Sequence, residues 1–299
     1  MGKRIKKNAY LPAVWHTLVS AQQGGIFMDN FNVYKDIQAR TKGEIYIGVV
    51  GPVRTGKSTF IKRFMEELVI PSAEDSTRAV MTDELPQSAA GRTVMTTEPK
   101  FVPAQAAKIS IREGAEASVR LVDCVGFAVE GAGGFEEDGS PRLIKTPWSD
   151  QAMPFEKAAK LGTEKVIREH STIGILMTTD GSITELPRSA YVAAEEHAAA
   201  ELKEIGKPFV ILLNCRQPAA QEPLRASLEE KYGVPVLAVN AEDLTEDEIL
   251  EIMQKVLFEF PVVGIDVRIP KWMQSLPESS KVVSAVLTKL KKLALMGEY

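Results

Sequence analysis

The chain has 299 residues, 44% of them hydrophobic and 25% charged, and 36 Lys and Arg against 40 Asp and Glu leave a net charge of −4. That balance excludes a disordered or collagen-like chain, and the length is ample for a packed core and about two domains. The lack of a basic surplus argues against nucleic acid as a partner, two cysteines (Cys124 and Cys215) fit a reducing compartment, and no apolar run is as long as a membrane-spanning helix.

In chain order, residues 1–28 carry Lys3, Arg4, Lys6 and Lys7 ahead of a mildly apolar stretch. Pro12 and His16 interrupt that stretch and no small-x-small cleavage site follows. It is expected to be a non-native or disordered extension ending at Met28, not an export signal. A β-branched run over 45–50 (IYIGVV) predicts a buried strand, followed by a helix over 57–69. A polar loop is expected over 71–103, then two strands, 108–112 and 118–123, joined by a tight turn at Glu113-Gly114. A Gly-rich loop over 126–148 follows, with Glu136, Glu137 and Asp138 as a solvated tip or a contact between copies. Then come a helix over 155–169, a strand over 172–177, and a helix over 189–205 closed by Gly206. Further units follow as strand 209–213, helix 223–231, strand 235–239 and helix 246–258. Consecutive strand–helix units imply an α/β fold: a mostly parallel sheet with one antiparallel edge strand near Lys108 and helices on both faces. Over 279–297, apolar residues at spacings of three and four with flanking lysines predict an amphipathic helix, the stub of a following domain.

The chemistry is expected where strands end. Gly51-Pro52-Val53-Arg54-Thr55-Gly56-Lys57-Ser58, running into Thr59, fits G-x-x-x-x-G-K-[ST] in full, after a strand and before a helix. Gly51 and Gly56 let the backbone wrap so that N–H groups point at an anion, and the helix N-terminus adds a positive dipole end. Lys57 then offers a point charge to the β- and γ-phosphates, and Ser58 a hydroxyl to Mg²⁺. Val119-Arg120-Leu121-Val122-Asp123-Cys124-Val125-Gly126 ends an apolar strand in D-x-x-G. Asp123 is expected to hold Mg²⁺ through its water shell, and Gly126 to offer its N–H to the γ-phosphate. In Thr96-Thr97-Glu98-Pro99, Thr97 is the expected metal ligand and Thr96 a γ-phosphate sensor beside it.

The base end departs from a guanine site. Strand 209–213 ends in Asn214-Cys215-Arg216-Gln217, which keeps the Asn of N-K-x-D and lacks its Lys and Asp. Without that carboxylate the guanine donors go unpaired, at roughly 1–3 kcal/mol, so the layout is that of a small GTPase while the base site argues against GTP. Phe127 stands where many GTPases carry a water-orienting Gln, and Val53 would crowd an inserted arginine finger; both predict slow hydrolysis. Arg54 either acts on phosphate in cis or is a surface residue. Thr178-Thr179-Asp180-Gly181 is either a switch or subunit contact or a plain turn. His16, His170 and His197 show no metal spacing, and both cysteines lack a CxxC partner.

IYIGVVGPVRTGKSTFIKRFMEELVIP, DELPQSAAG, MTTEPKFVP, RLVDCVGF, GSPRLIKTPW, EHSTIGILMTTDGSI and GKPFVILLN together resemble the stage IV sporulation protein A family, coat-morphogenetic ATPases of endospore-forming bacteria, from Asn32 to Trp272. The resemblance implies a P-loop NTPase of the translation-factor-type GTPase layout that uses ATP and Mg²⁺. Lys57 is then the Walker A lysine, Asp123 the Walker B acid, and Thr96 and Thr97 the sensor threonines. It further implies a protein of the mother-cell cytoplasm that hydrolyses ATP to lock itself into a homopolymer on the forespore outer membrane surface, the basement layer of the coat. A small membrane-bound anchor peptide and coat proteins are the implied partners, through regions beyond this sequence. The alternative is a nucleotide-binding switch or scaffold with little turnover. On this basis 29–263 is the expected ATPase domain and 264–299 the start of a following domain or linker helix.

Overall fold

The computed structural model describes residues 44–86, 99–110, 116–137, 140–147, 149–259, 276–277 and 280–296. Phe31–Leu257 form one compact unit, and the chain from Phe258 onward belongs to a second.

The first unit is built on a six-stranded sheet. Its strands are β1 (Glu44–Val50), β2 (Lys100–Ser110), β3 (Glu116–Asp123), β8 (Ile173–Thr179), β9 (Phe209–Asn214) and β10 (Val236–Val239), in the order β10-β9-β8-β1-β3-β2. Every pairing is parallel except β2 with β3, which is antiparallel, so the expected α/β sheet with one reversed edge strand is what forms. β8 and β9 are buried at every residue, which requires cover on both faces and explains their unbroken apolar sequences. The covering helices are α1 (Lys57–Phe64, running into a wider turn at Met65–Val69), α3 (Phe155–Lys165), α4 (Val192–Glu204), α5 (Glu222–Tyr232) and α6 (Glu246–Phe258). Phe60, Ile61, Phe64, Met65, Leu68 and Val69 are all buried, and spacings of three and four place them on one face of α1 and its extension. Thr245 and Glu248 cap α6 reciprocally: the Thr245 N–H donates to the Glu248 carboxylate at 2.9 Å and the Glu248 N–H to the Thr245 hydroxyl at 3.4 Å.

Register places the site. Val49 pairs with Asp123, Val50 with Leu176, and Thr179 and Val239 both with Asn214. The carboxyl ends of five strands therefore line up along one edge, the edge where open α/β sheets bind ligands.

Three expectations change. A helix α2 (Asp75–Asp83) forms inside the expected 71–103 loop; none of its residues is buried, so no apolar period marked it. β2 begins at Lys100 and runs through Pro103; it is the sheet's edge, and its register shifts between Val102 and Ala107, the setting in which a strand tolerates proline. The Gly-rich loop holds two small antiparallel pairs, β4 (Glu136–Glu137) with β5 (Ser140–Pro141) and β6 (Leu143–Thr146) with β7 (Ser149–Pro154). The Glu113-Gly114 turn, Thr96, Thr97, Asp138 and residues 1–43 lie outside the described residues.

In the second unit, α7 (Lys281–Met296) forms where the amphipathic pattern predicts a helix, and the Ser280 hydroxyl accepts the Val283 N–H at 3.2 Å as its cap. No helix among the described residues is long and apolar enough to cross a membrane.

Candidate phosphate and metal site

The turn from β1 to α1 wraps back on itself. Gly51 adopts φ 129° and Gly56 φ 89°, conformations open to glycine. A Cβ on Gly51 would stand 2.2 Å from the Met177 carbonyl oxygen, so the loop passes tightly over the end of β8. Pro52 and Val53 are buried, Arg54 is exposed, and Thr59 is half-buried in the first turn of α1. The Thr55 hydroxyl and the Lys57 ammonium both donate to the Pro52 carbonyl, at 2.9 and 2.6 Å, which curls the loop around its own main chain.

Asp123 reaches this loop from the end of β3. Its Oδ2 accepts the Ser58 hydroxyl at 2.9 Å, while its buried Oδ1 has no hydrogen-bond partner among the described residues. Burial pushes the Asp123 carboxyl above the usual carboxylate range, opposed by the Ser58 hydrogen bond and the Lys57 charge. Burial likewise pulls Lys57 below the ordinary lysine range, against the opposing fields of Cys124 and Asp123. An orphaned carboxylate oxygen, a hydroxyl bonded to the same carboxylate and a buried ammonium fit a hydrated divalent cation beside a phosphate chain.

Gly126 is shaped by contact with that cluster. At φ 100°, a Cβ there would lie 2.4 Å from the Gly51 carbonyl oxygen and 2.5 Å from Lys57 Nζ. Its N–H, expected to face a γ-phosphate, donates instead to the buried Thr163 hydroxyl at 3.2 Å, and Thr163 in turn donates to the Ala159 carbonyl at 2.8 Å. No sequence pattern marked Thr163, which sits inside α3. The following residue ties two loops together: the Phe127 N–H donates to the Gly51 carbonyl at 3.0 Å, and the Val53 N–H donates to the Phe127 carbonyl at 2.9 Å. The Phe127 ring is buried and meets His197 edge-on at 4.8 Å.

At the other end, Asn214 is a brace. Its amide donates to the Thr55 carbonyl and accepts the Ala241 N–H, both at 3.0 Å, so β9 holds the phosphate loop and the loop after β10 in one grip. Thr178, Glu195, Arg188 and Tyr232 form a buried network that sequence patterns did not reveal: the Glu195 carboxylate accepts Thr178, Arg188 and Tyr232 at 2.5, 2.6 and 2.7 Å. Asp180 and Gly181 form a turn in which Asp180 accepts the Ser182 N–H at 2.8 Å. Contrary to the absence of metal spacing in the sequence, His197 joins Glu164 and Glu201 with ligating atoms within 4.8 Å of one another. Arg168 already pairs with Glu201 at 2.6 Å, which makes the group a surface ion-pair cluster.

Residues 28–261 match the family model described as stage IV sporulation protein A, ATPase domain. Proteins named stage IV sporulation protein A are similar along most of this chain. The one from Clostridioides difficile (strain 630) is 52% identical over 88% of this chain and 54% of its own length. That from Bacillus anthracis is 54% identical over 84% and 52%, and that from Bacillus subtilis (strain 168) 51% identical over 84% and 52%. The chain thus spans about half the length of the curated relatives it matches. Among solved structures, an SsGBP variant aligns over 75% of this chain and 61% of its own at 14% identity with a TM-score of 0.40, so the fold assignment rests on the strand order alone.

Proposed function

The chain belongs to the stage IV sporulation protein A family and carries its ATPase domain, and from that premise we propose that residues 51–58 with Asp123 bind Mg²⁺·ATP and hydrolyse it to drive self-assembly. One observation carries the proposal: the Ser58 hydroxyl and the Asp123 carboxylate are bonded at 2.9 Å, with the second carboxylate oxygen unpartnered among the described residues. Ser58 and Asp123 would hold the metal, with Thr97 as the further ligand and Thr96 as sensor. When bound, magnesium supplies positive charge to the β- and γ-phosphate oxygens. Lys57 exchanges the Pro52 carbonyl for phosphate oxygens, which restores a counter-charge to a buried ammonium. The Gly126 N–H leaves Thr163 for the γ-phosphate, so the loop after β3 senses the triphosphate. Asn214, spent on bracing, leaves no side-chain acceptor for guanine at that position, and adenine is favoured.

The product of turnover is a homopolymer at the forespore membrane surface in the mother cell. Contacts with an anchor peptide and with coat proteins lie in parts of the longer relatives that this chain does not span. The buried, apolar Phe127 favours a second reading, a nucleotide-held switch or scaffold with little turnover.

Phosphate release from ATP by wild type, Lys57→Ala and Asp123→Ala tests the site: the first turns over and both variants fall to background. Retained hydrolysis in both variants contradicts the assignment. Sedimentation with ATP, ADP and no nucleotide separates the two readings, since an ATP-driven assembly pellets with ATP and a scaffold pellets regardless.

A further inference from the structure

Arg54 is the one non-glycine residue with a left-handed backbone among the described residues, at φ 61°. An L side chain is disfavoured there and glycine is not, so a purely architectural role would be better served by glycine. The strain is therefore retained for what the side chain does.

Three observations say where that side chain acts. Arg54 is exposed and makes no hydrogen bond or ion pair with the described residues. Its Nη2 lies 3.8 Å from the position a Cβ on Gly133 would take, so the guanidinium leans along the Gly-rich loop that leaves Gly126. That loop is lashed to the phosphate loop by the Phe127–Gly51 and Val53–Phe127 main-chain bonds, and Lys57 Nζ lies 2.5 Å from where a Gly126 Cβ would stand. The guanidinium thus flanks the junction of the two loops that meet at Lys57, the end of the cradle that faces a γ-phosphate. The neighbouring Phe127 offers an apolar ring and Val53 a buried isopropyl group, so neither side chain contributes a donor to that junction.

We propose that Arg54 is a catalytic residue that acts in cis, its planar fork donating to the γ-phosphoryl oxygens as charge redistributes in the transition state. The proposal rests on the ATPase reading above and names a further participant in it. In the step, water attacks the γ-phosphorus, the bond to the β–γ bridging oxygen breaks with its electron pair leaving on ADP, and the water's proton ends on inorganic phosphate. Arg54 remains protonated throughout and supplies only hydrogen bonds and charge.

Arg54→Gly and Arg54→Lys test this beside wild type. Glycine suits the left-handed backbone, so Arg54→Gly keeps the fold and the loop geometry while deleting the guanidinium. The expected result is a kcat reduced roughly 100-fold with ATP affinity held within about threefold, and loss of the ADP–aluminium fluoride complex that mimics the transition state. Arg54→Lys, a point charge in place of a fork, is expected to recover less than about a tenth of the wild-type rate. An Arg54→Gly enzyme with wild-type kcat, or one whose whole loss lies in ATP affinity, overturns the proposal, as does full recovery by lysine. If wild type itself fails to hydrolyse ATP, the ATPase reading falls; if wild type turns over and Arg54→Gly matches it, only the role of Arg54 falls.

Discussion

At the end of β1, a tight main-chain turn with two left-handed glycines presents its backbone, one ammonium and one hydroxyl to the Asp123 carboxylate. At the end of β9, a single side chain, Asn214, takes one hydrogen bond from the loop after β10 and gives one to the phosphate loop. The first region leaves groups unsatisfied, namely Asp123 Oδ1 and a lysine bonded to a carbonyl, while the second closes on itself. A region built to receive a charged ligand keeps polar atoms in reserve, and a region built to brace does not.

The comparison breaks most decisively at Gly126. Alanine there would drive a methyl group to within 2.5 Å of both the Gly51 carbonyl oxygen and the Lys57 ammonium, from a backbone at φ 100°. Gly126→Ala should abolish ATP turnover and cost roughly 1–3 kcal/mol of stability, read by phosphate release and by urea unfolding. Wild-type turnover in that variant would mean that the loop after β3 does not meet the phosphate.

Asn214→Ala comes next. It strands the buried Thr55 carbonyl and Ala241 N–H, at about 2 kcal/mol of stability, and loosens the phosphate loop. Because Asn214 braces rather than reads a base, ATP and GTP binding should weaken by the same factor; selective loss for one nucleotide would make it a base reader.

A smaller effect concerns the remote network. Glu195→Gln leaves Arg188 without its buried counter-charge, and a loss of about 3 kcal/mol in chemical unfolding is expected while ATP affinity stays unchanged. A fall in ATP affinity would tie that network to the site.

Much of this was legible in the sequence. The glycine spacing, the apolar strands before it and the acid at the end of β3 are local patterns, and each maps to a main-chain geometry that sequence can encode. What was not legible depends on contacts distant in sequence. Thr163 meets Gly126 from inside a helix 37 residues later, and Asn214 reaches Thr55 across 159 residues. α2 buries nothing, so hydrophobic periodicity had no way to announce it. Pro103 reads as a break, yet an edge strand with a register shift absorbs it.

The smallest effect compares the two ends by their thiols. Burial pushes both Cys124 and Cys215 up to about 11, from an ordinary value of 9.0. The folded state therefore holds these protons more tightly than the unfolded one. The associated stability is complete below about pH 9 and is lost as pH rises toward about 11. At pH 8 neither cysteine should alkylate without unfolding; rapid labelling of Cys215 alone would show that the braced end opens.

The most direct test of the central claim is titration calorimetry of ATP into wild type and Asp123→Asn, each with magnesium and with a chelator. Wild-type affinity should rise with magnesium, and the increment should vanish in Asp123→Asn while weak metal-free binding remains. Equal affinity with and without magnesium in wild type, or an unchanged magnesium increment in Asp123→Asn, would contradict a metal held between Ser58 and Asp123.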